Sequence, residues 1–254
     1  MVQQRLLKGS LAAAAIGVFL LAGCSRPDDN GSDSDRDRDR QRASRDERRA
    51  ERRGHDARDL KMDTRNFPVE AFDAVELRGA AEVVITLGSA PSLQISGTER
   101  ALKSIDVHVG GHTLDIDAAK GRSWFGETGR LKIVITAPTL TKLESNGAGE
   151  IRIDGFNGGD VDLEFAGAHD VVATGVVDKL KIELSGAGSA DFLKVVAREA
   201  DVTVNGAGNI ELNTTESLRA EVNGVGAVRY LGDPQKVDSD LHGLGTISRK
   251  SKPE

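Results

Sequence analysis

Four titratable side chains fall close together in the chain: Asp160, Asp162, His169 and Asp170. Carboxylates beside an imidazole suit general acid–base attack on a polysaccharide, provided two of them reach one substrate within hydrogen-bonding distance. The other acids are scattered, so this group reads as solvated surface, no catalytic residue is assigned and no enzyme is expected. Gly158-Gly159-Asp160-Val161-Asp162 faintly matches the glycine–aspartate repeat of calcium-binding rolls, but it occurs once and lacks the third glycine. His55, His108, His112, His169 and His242 form no ligand cluster. The pair His108 and His112 spans Gly110-Gly111, which makes a turn and not a helix face that could hold zinc. No metal and no cofactor are expected.

Two further features carry chemistry of another kind. Gly121 to Arg130 is a glycine-bounded loop holding Trp124, the only tryptophan, beside Phe125. Aromatics exposed on a loop anchor partners; the alternative is that Trp124 or Phe125 folds back over apolar core at an open end. The second feature is Cys24, the only cysteine, so no disulfide is possible within the chain. Arg5 and Lys8 precede the apolar run Leu11 to Leu21, which is about half the ~20 residues a membrane-spanning helix needs and fits an export signal. Leu21-Ala22-Gly23-Cys24 resembles the bacterial lipobox, implying cleavage before Cys24 and lipidation of its thiol; an ordinary secretory signal with a stray thiol is the alternative. A diacylglycerol thioether plus an N-acyl chain would meet the requirement of two or more chains for stable anchoring. Ser25 after the cysteine resembles an outer-membrane address.

These features divide the chain into a signal peptide (1–23), a lipidated cysteine with a tether (24–60) and a head (61–254). The tether holds 11 Arg against 11 Asp plus Glu. With no apolar side chains to bury it cannot offset the entropy of ordering, and as a flexible coil it reaches roughly 30–36 Å. Its arginines each have an acid nearby, so a solvated spacer is favoured over a binder of nucleic acid or anionic lipid. Removing a signal of +2 and a neutral tether from the net charge of −6 leaves −8 on the head. An acidic head argues against nucleic acid as a partner and against direct docking on anionic lipid.

The head must position whatever acts, and its organisation is repetitive. Small turns recur at Asn146-Gly147-Ala148-Gly149, Ala166-Gly167-Ala168-His169, Ser185-Gly186-Ala187-Gly188, Asn205-Gly206-Ala207-Gly208, Asn223-Gly224-Val225-Gly226 and His242-Gly243-Leu244-Gly245. Their first glycines are 20, 19, 20, 18 and 19 residues apart. Before each turn stand alternating, mostly apolar residues, among them Leu143, Leu163 and Phe165, Ile182 and Leu184, Val202 and Val204, and Val222; after it stand Ile151 and Ile153, Val171, Phe192, Ile210 and Leu212, and Val228. Intervening positions such as Glu144, Arg152, Glu183 and Glu221 are polar. This is period two: strand, glycine corner, strand. One repeat is the size of one coil of a parallel β-helix, in which coils stack and inward side chains form a continuous core. A β-sandwich of antiparallel hairpins is the runner-up, but it would not demand the same turn at a fixed interval. Stacked Asn146, Asn205 and Asn223 predict a partial ladder, interrupted by Ser185.

The first part of the head is less regular. Val75 to Ile85 echoes the repeat, with Ala81 in place of the second glycine. Leu93–Ser96, Ile105–Val109, Thr113–Ile116 and Leu131–Ile135 also alternate and predict atypical opening coils with hairpin-like insertions. The C-terminal coil ends in the polar segment Ser248-Arg249-Lys250-Ser251-Lys252.

The reiterated turn, the spacing of Phe72, Val75, Leu77, Gly79, Val83, Ile85 and Gly88, and the late segment Val228 to Pro234 resemble the head GIN domain family. Its members are bacterial envelope proteins with an auto-transporter adhesin-like domain of unknown function. The resemblance covers about Asn66 to Ile247 and implies a right-handed β-helical fold, but it supplies no catalytic residues. His169 replaces the second glycine of its turn, which predicts either an opened turn or an outward side chain.

Taken together, the chain is expected to be all-β, with ~19-residue coils, lipid-anchored at Cys24 in the bacterial envelope, and to carry a non-enzymatic head that binds a protein or glycan. A structural or assembly accessory with a fixed envelope partner is the second reading, and a polysaccharide-acting enzyme the third.

Overall fold

Apolar residues at every second position, with glycine where the chain must bend, produce strand after strand with almost no helix. The computed structural model describes residues 62–119 and 131–251. Cys24, the tether, Trp124 and Phe125 lie outside the described residues. All those described fall within one compact unit, Arg52–Glu254.

The strands are β1 (Met62–Phe67), β2 (Ala74–Ala80), β3 (Glu82–Leu87), β4 (Ser92–Thr98), β5 (Asp106–Gly110), β6 (Thr113–Asp117), β7 (Lys132–Ala137), β8 (Lys142–Asn157), β9 (Asp160–Leu231) and β10 (Lys236–Arg249). A five-residue helix, α1 (Glu99–Lys103), follows β4, where Thr98 Oγ1 accepts the Ala101 N–H at its start. Among the described residues no helix is long and apolar enough to cross a membrane.

The repeats pair in parallel and in register. Leu143 lies beside Leu163, Gly147 beside Gly167 and Ile151 beside Val171; Val222 lies beside Leu241, Gly224 beside Gly243 and Val228 beside Ile247. Parallel pairing rules out the antiparallel-hairpin sandwich for this region. Beneath β8 lie β2 and β3, with Gly79 under Gly147 and Val83 under Ile151. The echo of the repeat read at Val75–Ile85 is thus a coil of the same stack.

The glycine at each corner is a requirement of this stacking. Gly186 has φ +141°, and a Cβ there would overlap the carbonyl oxygen of Gly167 in the coil below. The same holds at Gly206 over Gly186. Only a residue without Cβ lets one corner rest on the next.

Inward positions of the central coils are sealed. Leu163, Leu184, Val204, Ile210 and Val222 are fully buried, as are Phe165 and Phe192. A third side of each coil joins them through Val177 and Leu180, Val195 and Ala197, and Leu218; this side lacks a glycine signature. Thr214, the polar residue buried there, directs its hydroxyl at the carbonyls of Arg198 and Ser217, as a buried hydroxyl requires.

The opening region is mixed. β6 and β7 pair in parallel with β2 and β3, while β5 pairs antiparallel with β6, β4 with β7 and β1 with β4. The expected hairpin-like insertions are these antiparallel strands; β1 and α1 were not legible in the alternation.

Candidate binding surface

The stacking turns single outward residues into columns. Lys142, Asp162 and Lys181 occupy equivalent positions in successive coils, with alternating charge. Lys142 Nζ lies 2.5 Å from Glu144 and 3.6 Å from Glu164, and Lys181 Nζ lies 2.9 Å from Asp162. The hydrogen bond that the Lys142 ammonium donates to Glu144 holds it above its ordinary pKa, and the one Lys181 donates to Asp162 does the same there. Beside this column runs a second, of Glu76, Glu144 and Glu164, aligned by the strand register, with Glu183 lining the same groove of about 80 Å³. At the lower end of this glutamate column Arg78 pairs with Glu76 and, at 2.6 Å, with Asp115. The expected asparagine ladder is realised between Asn223 and Asn205, at 3.0 Å, and Asn205 donates onward to Glu183. On the third side Arg198 binds Glu216 at 2.9 Å and Asp178 at 3.5 Å.

Coils in a sheet repeat at about 4.8 Å, so the first column offers alternating donors and acceptors and the second a row of acceptors at a regular spacing. Such a surface can match repeating polar groups along an extended polymer. Its lysines and many of its acids already neutralise one another, so it offers little net attraction to a simple ion.

The sequence constellation Asp160, Asp162, His169 and Asp170 is not assembled into a site. Asp162 holds Lys181, Asp170 accepts the Ser189 hydroxyl at 2.6 Å, and Asp160 is exposed. His169 points the opposite way: it is 3% exposed, with its ring in the core. This corrects the expectation of an opened turn or an outward side chain. The reason lies in the coil below, where Ser145 occupies the position filled by Phe165 in the next coil. The small serine leaves room for the imidazole and bonds it, Ser145 Oγ to His169 Nε2 being 2.9 Å; the Phe165 ring packs 5.8 Å away. Burial pushes the His169 pKa below its ordinary value, against a weaker upward pull from the Asp170 charge. A signal for this pair was present in the sequence, since Ser145 and His169 are both exceptions to their own columns in adjacent coils.

Other candidates resolve into local structure. Gly158 and Gly159, both with positive φ, form the turn between β8 and β9, and the Gly159 N–H donates to Asp178 Oδ2 at 2.9 Å. That bond, between successive coils, accounts for the weak calcium-like motif. Gly111 and His112 form the β5–β6 turn, with His112 at φ 68°. Among the described residues no group of three or more His, Cys, Asp or Glu is placed to hold a metal.

Trp124 and Phe125 lie outside the described residues, but their attachment points are defined. Ala118 donates its N–H to the Arg78 carbonyl, and the Leu131 carbonyl accepts from Glu82. Ala118 and Leu131 therefore both lie beside the corner at Gly79–Ala81.

A feature that sequence reasoning missed lies at the opposite end. The central residues of the glycine turns form an outward ridge, Ala148, Ala168, Ala187, Ala207, Val225 and Leu244, which enlarges toward β10; Val225 is 57% and Leu244 77% exposed. Farther along the same coils, Asn213, Leu231, Asp233 and Arg249 line an open groove of about 650 Å³.

Comparison with known proteins bears on this architecture. A putative adhesin from Bacteroides fragilis NCTC 9343 has a solved structure 26% identical to the chain, with a TM-score of 0.55 over 75% of this chain and 97% of its own. A putative lipid binding protein from Parabacteroides distasonis ATCC 8503 is 20% identical with a TM-score of 0.41, again over 75% and 97%. A putative adhesin from Parabacteroides merdae ATCC 43184 is 18% identical with a TM-score of 0.44 over the same shares. No curated protein matches the chain. The family described as "Putative auto-transporter adhesin, head GIN domain" matches residues 71–234, which hold the β2–β3 coil and every corner up to Gly224, and the chain belongs to that family.

Proposed function

We propose that the chain is a lipid-anchored envelope protein whose head is a non-enzymatic, adhesin-like binding module. The observation that carries this reading is the column surface: outward side chains on stacked coils form a rigid polar lattice suited to an extended glycan or protein. Membership of an adhesin-like family supports the same reading and a place in the envelope or outside the cell. The parallel stack is read as a right-handed β-helix, because parallel crossovers are right-handed in about 98% of cases. The anchor rests on the lipobox-like Leu21 to Cys24, and the tether sets the distance of the head from the membrane.

The binding test offers the intact chain to glycan panels and to envelope extracts. Specific retention that is lost on Glu144→Ala with Glu164→Ala supports the column surface, and loss on Trp124→Ala instead assigns binding to the loop. A fixed envelope protein recovered without any glycan signal favours the accessory reading. Turnover of a polysaccharide that disappears in Asp160→Asn or Asp162→Asn would overturn the non-enzymatic reading. For the anchor, Cys24→Ala should abolish the mature, lipid-modified form; its persistence would contradict lipidation.

A further inference from the structure

We propose that the uncovered edge of β10 pairs antiparallel with β10 of a second copy of this chain, around a two-fold axis passing through Leu244. Among the described residues β10 pairs with β9 alone, and its outer edge has no backbone partner among them. Its inward positions are left half in water: Val237 and Leu241 are each 44% exposed, although their register partners Leu218 and Val222 are buried. Unpaired, apolar strand edges are templates for further pairing.

The residues of β10 favour its own inverse as the occupant. Close to Leu244 the residues match in type: inward Leu241 on one side matches Ile247 on the other, and Gly243 matches Gly245. A two-fold axis perpendicular to the stack reverses chain direction on both sides of the corner, so pairing is antiparallel along the whole of β10. Even spacing about Leu244 keeps inward residues inward, as a sheet of period two demands. Leu241 then faces Ile247 of the second copy, and the core continues from one stack into the other.

Charge selects the same arrangement. The first half of β10 carries Asp238 and Asp240, and the segment leaving it carries Arg249 and Lys250. Antiparallel pairing sets Asp238 beside Lys250 of the second copy, an ammonium that also holds Glu211 of its own chain at 2.6 Å, whereas stacking β10 in parallel on itself would set acid over acid. The outward ridge benefits too, since Val225 and Leu244 of both copies merge into one apolar strip. At the opposite end the outermost strands are β1 and β5, of six and five residues, which do not match the 14 residues of β10. The contact therefore closes as a dimer and does not propagate into a fibre.

The test uses Leu244→Cys in the full chain, in detergent, with a short bifunctional thiol reagent. Leu244 is solvent-exposed, so the substitution is tolerated, and the axis places the two introduced thiols side by side. Ala187→Cys, on the same ridge but in mid-stack, is the control, and the unsubstituted chain accounts for Cys24. The expected result is about tenfold more covalent dimer from Leu244→Cys than from either control, abolished when Leu241→Asp is added. Equal crosslinking in Leu244→Cys and Ala187→Cys, or crosslinking of Leu244→Cys to a different protein, would overturn the proposal.

Discussion

The two ends of the stack are finished differently. At the N-terminal end the coil of β2 and β3 is followed outward by β6 and β7, then by the antiparallel strands β4 and β5, and finally by β1. Alongside them Ala101 and Leu102 of α1 and Ile105 after it are buried. At the C-terminal end β10 is exposed along nearly its whole length. Solenoids need polar or covered ends because each coil is stabilised only by its neighbours. Here one end is closed by the chain itself, and the other keeps the interior pattern with no further strand over it among the described residues. Substitutions at equivalent positions should therefore cost much in mid-stack and little at β10.

The largest expected contrast is at the glycine corners. Gly206→Val places a branched side chain against the Gly186 carbonyl at a φ of +141° and should remove more than about 4 kcal/mol of stability, the range of exceptional single substitutions. Gly243→Val, at a φ of +153°, meets the equivalent carbonyl of Gly224 but can be relieved by detaching β10 alone. Urea denaturation should show a collapse of the midpoint for the first and local loss of protection in β10, by hydrogen exchange, for the second. Similar midpoints for the two would break the comparison.

A milder version uses core leucines. Leu184→Ala, fully buried, should cost about 2–5 kcal/mol. Leu241→Ala, already half in water, should cost about 1 kcal/mol or less in the monomer, scaled to its remaining burial. Thermal melts at low concentration separate the two.

Ser145 and His169 sharpen the comparison from inside the stack. Ser145→Ala leaves His169 Nε2 buried without its partner and should cost about 1–3 kcal/mol. The imidazole is held neutral by burial, so its folded pKa lies below the unfolded value of about 6.5. As pH falls, the unfolded chain binds the proton first. Stability from this site is thus fully present above about pH 7 and declines as pH drops through 6.5. His169→Gln should flatten that decline in denaturation midpoints between about pH 7 and 5; an unchanged slope would mean that His169 does not titrate as described. The smallest effect belongs to the surface columns, where Lys181→Ala should change stability by less than about 1 kcal/mol.

Much of the stack was legible because its rules act on every residue. Period-two burial at Leu163, Phe165 and Leu184 and the glycine spacing each follow from one local constraint repeated coil after coil. The third side escaped notice because Val177, Val195 and Thr214 are separated by segments without a glycine signature. Helix α1, five residues capped by Thr98, is too short to leave a helical period. The orientation of His169 depended on a vacancy created 24 residues earlier at Ser145, which no single turn reveals. The surface columns were implicit once residues such as Lys142, Asp162 and Lys181 were known to align, but their ion pairing required the register itself. The state of β10 was the least legible: Val237, Leu241 and Ile247 follow the interior pattern, and only the absence of a paired neighbour distinguishes them.

The central claim is that consecutive glycine corners rest on one another in parallel register. It is tested most directly by paired thiols on the outward ridge, where Ala168 and Ala187 are exposed in adjacent coils. Strands are about 4.8 Å apart, within the Cα separation a disulfide accepts. Ala168→Cys with Ala187→Cys should therefore form an intramolecular disulfide under mild oxidation, detected as a two-hydrogen mass loss in the monomer. Ala168→Cys with Ala207→Cys, two coils apart, should not. A disulfide in the second pair, or its failure in the first, would contradict the stacked register on which the column surface and the β10 interface both depend.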